Sequence, residues 1–287
     1  MTLARDVAGI RFANPILLAA GTAGFGREVA GVVRLQRMGG LVTKAVSLAG
    51  RAGNLPPRVA EIPGAMLNSV GLANPGVEHV LGHELPWLLQ QLPQLPVLVN
   101  VVGFTTTEYA DVIRTLDVLD GHAGYEINLS CPNTSAGGME FGADAEAVAD
   151  VISRCRQVTR RPLFAKLSPV LSNIPAMARA ARDAGADGVT LVNTMPGTAF
   201  EDRHPRLGNG FGGVSGPALR PVALLAVSRT AEALPDFPII GVGGISRAGH
   251  VRDYLRAGAT LVAIGTAALA DPRLPERLVT ELERSDG

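Results

Sequence analysis

The sequence is poor in cysteine, lysine, aromatic residues and long apolar runs. Two cysteines among 287 residues, Cys131 and Cys155, are too few for a disulfide framework, a four-cysteine zinc site or an iron–sulfur cluster held by this chain alone. No apolar run approaches the roughly 20 residues needed to cross a membrane. Residues 1–15 carry Arg5, Asp6 and Arg11 where a secretory leader needs an unbroken apolar stretch, so the chain reads as cytoplasmic. Neither sign of charge prevails. The 26 basic residues balance 26 acidic ones and leave no global field to attract nucleic acid or an anionic membrane. Lysine is the sharpest scarcity, because Lys44 and Lys166 are the only two and every other basic residue is arginine. A lysine kept in such a background suits a task that needs a compact ammonium on a flexible stem; chance is the plainer alternative.

What the chain does have is a recurring pattern of strand and helix. Short apolar, β-branched runs fall at 16–20, 41–46, 97–101, 125–129, 163–167, 188–193, 238–242 and 260–265. Amphipathic helical stretches lie between them, at 107–119, 144–155, 174–184, 218–233 and 248–257. Gly185 and Gly258 stand where two of these helices would exit into a strand. Eight strand–helix units at this length predict an α/β fold, a single (β/α)8 TIM barrel spanning 1–287. A doubly wound sheet is the main rival, but Gly21-Thr22-Ala23-Gly24-Phe25-Gly26 only loosely imitates its phosphate turn, and Lys44 stands where an acidic residue would hold a ribose. The intervals Lys44–Asn100 and Asn193–Gly243 are longer than the rest, which places inserted βα loops near 47–72 and 195–216. Such loops serve as lids, substrate walls or partner surfaces, or as inert decoration.

Barrel enzymes build their sites at the carboxyl ends of the strands. Those ends carry Ala20-Gly21, Lys44, Asn100, Asn128, Lys166, Asn193, Gly243-Gly244 and Gly265-Thr266. Period-two alternation groups Asn100 with Leu98, Lys166 with Phe164 and Asn193 with Leu191, so each is expected to point into the mouth. A single asparagine there is best read as a turn residue. Five amide or ammonium groups on one rim are harder to attribute to chance. The glycine pairs after the last two strands suit backbone capture of a phosphate, strengthened by helices that begin directly afterwards; tight turns alone would also explain them. A phosphate at one side of the mouth, with amides and lysines across it, fits FMN. The ring of FMN needs donors and acceptors along its pyrimidine edge and a cation, here Lys166, near N1/O2.

The fourth strand runs into Asn128-Leu129-Ser130-Cys131-Pro132-Asn133. A lone cysteine is more often a small buried hydrophobe, which is the expectation for Cys155. Cys131 lies on a polar rim loop, where its chemistry could be nucleophilic or that of a general base. None of His79, His83, His122, His204 and His250 lies where it could serve as a partner, which favours proton abstraction.

The runs Asn14-Pro15, Lys44-Ala45, Pro57-Arg58-Val59, Met66 through Gly76, Asn128 through Asn133, Lys166-Leu167-Ser168-Pro169, Asn193-Thr194 and Gly213-Val214-Ser215-Gly216-Pro217 resemble dihydroorotate dehydrogenase, in order, from about residue 14 to 272. The cysteine at 131 is similar to class 1 of that family, and the stretch 64–89 looks most like class 1B. The resemblance implies that Cys131 is the catalytic base, taking a proton from C5 of dihydroorotate while C6 passes hydride to FMN. It implies substrate contacts from Lys44, Asn68, Ser69, Val70, Gly71, Leu72, Asn128, Asn193 and Thr194. It implies flavin contacts from Ala20, Lys44, Ala45, Asn100, Asn128, Lys166, Val192, Gly216, Gly243, Gly244, Gly265 and Thr266, with no metal. Ala20 departs from the serine expected there, so a hydroxyl contact would be missing. Class 1B further implies a homodimer joined to a partner subunit that carries FAD and a [2Fe–2S] cluster and delivers electrons to NAD. A fumarate-dependent class 1A enzyme, a flavin domain acting on another dihydropyrimidine and a non-redox phosphate-binding barrel are the alternatives. Glu126 shares parity with Asn128, which sets a carboxylate inside the barrel with no partner evident from sequence.

Overall fold

The computed structural model describes residues 3–130, 142 and 144–286. Its strands in chain order are β1 Arg5–Val7, β2 Ile10–Phe12, β3 Ile16–Leu18, β4 Gly40–Val42, β5 Val59–Ile62, β6 Ala65–Asn68, β7 Val97–Val101 and β8 Gly124–Asn128, then β9 Leu163–Leu167, β10 Gly188–Leu191, β11 Met195–Gly197, β12 Phe200–Glu201, β13 His204–Pro205, β14 Gly212–Ser215, β15 Ile239–Val242 and β16 Leu261–Ile264. Among the described residues, eight of them close a parallel barrel in the order β10-β15-β16-β3-β4-β7-β8-β9, with helices packed around it. This is the (β/α)8 barrel that the alternation of elements predicts.

Alternation along each strand divides the apolar residues between two cores. Leu17, Val42, Leu98, Phe164, Ile240, Leu261 and Ala263 fill the barrel interior. Their neighbours Ile16, Leu41, Val97, Val99, Leu163, Ala165, Val189, Ile239 and Val262 pack outward under the helices. The strands are thus apolar on both faces, which is why they read as continuous runs rather than alternating ones. The hairpin β1–β2 was not legible in the sequence. Its Val7 and Phe12 join the interior core, and Phe12 packs near Gly40 at the entrance of β4, so the hairpin stoppers the amino end of the barrel.

Two helix ends follow the expected chemistry. Gly185, at φ +105°, leaves the helix Ile174–Asp183, and the Ala186 N–H closes back on the Ala181 carbonyl at 2.9 Å. Gly258, at φ +103°, does the same after Ala248–Arg256, where Ala259 N–H reaches the Tyr254 carbonyl. Several strands end earlier than expected, and β4 and β10 do so where rim residues follow. The β4 strand stops at Val42 because the Lys44 N–H turns to the Gly24 carbonyl (2.8 Å) instead of the neighbouring strand. The β10 strand stops at Leu191, which packs outward although Asn193 faces the mouth, so the parity argument for Asn193 does not hold past the strand's end.

The long insertions are structured. Strands β5 and β6 from the first and β11 and β14 from the second form one antiparallel sheet in the order β11-β14-β6-β5, and Asn68 pairs with Gly213 across it. Glycine and proline in Met195–Gly197 and Gly212–Ser215 disguise these short strands as loops.

Near the amino end of β8, buried His122 stacks edge-on against Tyr125, with Arg161, Asp117 and Asp120 around it. Burial, helped by the Arg161 charge, pushes its pKa down to about 4, against weaker opposing pulls from Asp117, Asp120 and the Leu119 backbone. The unfolded chain therefore takes up this proton first. The stability contributed by neutral His122 is present above about pH 6.5 and is lost as pH falls towards 4, amounting to about 3 kcal/mol at most. Urea unfolding of the wild type should weaken between pH 7 and pH 4.5 more steeply than that of His122→Leu. Parallel slopes would remove this role from His122.

Candidate active site at the carboxyl end of the barrel

The carboxyl ends of the strands and the inserted sheet together enclose a cavity of about 620 Å³. Strand β7 brings Asn100 to its floor, β8 brings Asn128, and β9 brings Lys166; each is at least nine-tenths buried. Lys44 and Ala45 come from the segment after β4, and Val192, Asn193 and Thr194 from the segment after β10. Asn68, Ser69, Val70, Gly71 and Leu72 form the wall at the end of β6. Ala20, Gly216, Gly243, Gly244, Gly265 and Thr266 complete the lining. Every described residue that the sequence assigns to substrate or flavin thus lines one cavity. Cys131 lies outside the described residues; Ser130, which precedes it, lines the cavity.

Hydrogen bonds fix most of the polar groups. The Asn193 amide donates to Asn128 Oδ1 at 3.1 Å, and the Ser130 N–H reaches the same oxygen at 3.2 Å. Tyr109 from the helix Thr106–Leu116 braces the Asn128 carbonyl at 2.9 Å. Asn68 donates to the Gly213 carbonyl at 3.3 Å across the inserted sheet, tying the two insertions together at the cavity wall. The left-handed backbone at Gly71 (φ +72°) and Leu72 (φ +57°) turns the chain there, and a Cβ on Gly71 would come within 2.7 Å of Asn54.

Glu126 needs the correction that the sequence could not supply. Its carboxylate is 1% exposed, and Oε1 accepts from Asn100 Nδ2 at 2.7 Å and from Lys166 Nζ at 3.2 Å. The group that lacked an evident partner has two, both from the rim.

The two glycine turns come from adjacent strands, since β15 and β16 pair directly. Gly243 (φ +143°) and Gly244 (φ +63°) follow β15, and Tyr254 OH holds the Gly243 carbonyl at 2.6 Å. Gly265 and Thr266 follow β16, where the helix Thr266–Ala270 begins. Thr266 Oγ1 lies 2.8 Å from Ser215 Oγ on β14, joining this end of the barrel to the inserted sheet. Ser215, Asn54, Met66 and Phe211 also line the cavity and were not singled out from sequence. For Ser215 the signal was available in the Gly213-Val214-Ser215-Gly216-Pro217 run, from which only Gly216 was assigned.

The family model for dihydroorotate dehydrogenase matches residues 2–285. The chain belongs to the dihydroorotate dehydrogenase family. It is similar to the protein named dihydroorotate dehydrogenase B (NAD(+)), catalytic subunit, of Geotalea uraniireducens, with 43% identity over 283 residues covering 98% of this chain and 92% of that one. The protein of the same name from Desulforudis audaxviator is 45% identical over 280 residues, covering 97% and 90%. That from Anoxybacillus flavithermus is 43% identical over 282 residues, covering 98% and 89%. These names agree with the class 1B resemblance read from the motif runs. Membership makes the chain an oxidoreductase. No helix among the described residues is long and apolar enough to cross a membrane.

Proposed function

We propose that this chain is the FMN-bearing catalytic subunit of an NAD-linked dihydroorotate dehydrogenase. It oxidises (S)-dihydroorotate to orotate and passes the electrons to a partner subunit carrying FAD and a [2Fe–2S] cluster. The observation that carries the reading is the convergence of both lysines of the chain and three rim asparagines on one cavity, in a member of this family.

The residues present fit FMN. Asn100 Oδ1 is buried and meets no donor among the described residues, an acceptor suited to a ring N–H. Lys166 offers an ammonium on the same floor. The glycine turns after β15 and β16 offer backbone N–H groups at one end, with the positive end of a helix directly behind the second. When bound, FMN supplies a two-electron acceptor for the hydride on C6 of dihydroorotate. The protein's part is positional and acid–base. Lys44 pairs with the substrate carboxylate, while Asn68, Asn128 and Asn193 meet the alternating donors and acceptors of the ring. The backbone of residues 69–72 and Thr194 close around it. Asn193 and Asn128, already bonded to each other, hold one edge in register and so reduce the entropy lost on binding. Cys131, as thiolate, takes the C5 proton. Loss of that proton and of the C6 hydride leaves the C5–C6 double bond of orotate.

The two cysteines of the chain cannot supply four cluster ligands, which supports a separate electron-transfer subunit. A dimer of this chain, each copy joined to one such subunit, is the assembly proposed. Steady-state turnover of the FMN-loaded chain tests the route: with fumarate as sole acceptor it should be negligible, and NAD+ alone should not restore it. Robust fumarate-dependent turnover would overturn the partner and leave a self-sufficient enzyme.

A further inference from the structure

One buried charge is left over by the chemistry proposed above. Glu126 makes its hydrogen bonds to Asn100 and Lys166 and not to the groups proposed to meet substrate. It sits one residue pair below the rim on β8, opposite Asn100 on β7, and Oε1 bridges Asn100 and Lys166. A carboxylate in the barrel interior is expensive to bury and is retained only where it is paired. Two consequences follow from its chemistry. An ionised carboxylate only accepts hydrogen bonds, so Asn100 must turn Nδ2 towards it, and the Oδ1 atom is thereby committed as the acceptor left without a protein donor. The carboxylate also opposes the Lys166 ammonium at 3.2 Å, so the field that reaches the cavity is that of a pair and not of a bare cation.

We propose that Glu126 is a positioning residue that orients Asn100 and tempers the charge of Lys166, and so sets the reduction potential of the bound flavin. The inference rests on the FMN reading above and deepens it. Negative charge builds up on a flavin when it is reduced, so an unopposed ammonium favours the reduced form and a paired one favours it less. Keeping the potential low in this way suits an enzyme that must hand its electrons onward.

The test is the midpoint potential of the FMN-loaded chain, read by anaerobic dye equilibration, for wild type, Glu126→Gln and Glu126→Asp. Glutamine keeps the shape and removes the charge, and its potential should shift upward. Its side-chain amide can also donate, which frees Asn100 to turn over, so FMN affinity should fall as well, by less than tenfold. Aspartate keeps the charge on a shorter stem and should lie between the two. A Gln potential equal to or below that of wild type overturns the inference. A folded Gln variant that takes up no FMN also overturns it, because the carboxylate would then build the site instead of tuning it. If Gln does not fold, the Asp variant decides alone, and failure of both to fold makes the group purely structural. Wild type that binds no FMN removes the functional reading and this inference with it. Wild type that binds FMN beside an unmoved variant removes this inference only.

Discussion

Cys131→Ala is expected to keep its flavin and its yellow colour while reduction by dihydroorotate slows roughly 10²- to 10⁴-fold, the range that a positioned general base contributes. The expectation rests on position and type. Cys131 follows directly on Ser130, a cavity-lining residue at the end of the strand that also supplies Asn128. Cys155, the other thiol, is fully buried in the helix Ala145–Val158, and burial pushes its pKa up to about 12. A thiol in that state is neither reachable nor ionised near neutrality. Cys155→Ala should therefore leave the reductive rate as it is, which makes it the natural control. Anaerobic stopped-flow bleaching of the flavin reads both variants. An unchanged rate in Cys131→Ala would assign the proton to some other group.

Gly244→Val is expected to lower FMN affinity by on the order of 10²-fold or more. Gly244 holds φ +63°, a conformation that carries strain of about 1–3 kcal/mol for a residue with a side chain. Space is short as well. A Cβ there would stand 2.8 Å from the Gly216 carbonyl and 2.8 Å from Arg220 Cβ, at the start of the helix Arg220–Ala233. Backbone and a helix start cannot yield as a flexible side-chain tip can, so the turn itself must move. Because Gly216 lines the same cavity, the displacement reaches both sides of the proposed phosphate end. Quenching of FMN fluorescence on titration measures the change. A dissociation constant within threefold of wild type would show that the phosphate is held elsewhere.

The barrel was legible because its strands are buried on both faces and stand out as β-branched runs between amphipathic helices. The rim was legible for the same reason, since a polar residue at the end of such a run is conspicuous. The parts that escaped share a cause. The strands Arg5–Val7 and Gly212–Ser215 carry charged residues or glycines where the barrel strands carry apolar side chains, so no apolar β-branched run marks them. Glu126 shows a different limit. Parity assigned it correctly to the interior, but parity says nothing of what faces it, and Lys166 comes from the next strand, 40 residues along the chain. Asn193 reached the mouth despite a parity argument that fails after Leu191, so its placement owes more to the strand's end than to alternation. The lysine scarcity was the most informative compositional feature: both lysines line the cavity, and the interior ion pair among the described residues includes one of them.

The most direct test of the account is a single-turnover titration of the FMN-loaded chain with (S)-dihydroorotate in the absence of oxygen. The account predicts bleaching of the flavin at one equivalent of substrate, with one orotate formed per flavin and no bleaching by dihydrouracil, which lacks the carboxylate that Lys44 is proposed to meet. A flavin that keeps its colour in excess dihydroorotate, or that dihydrouracil bleaches equally well, would contradict it.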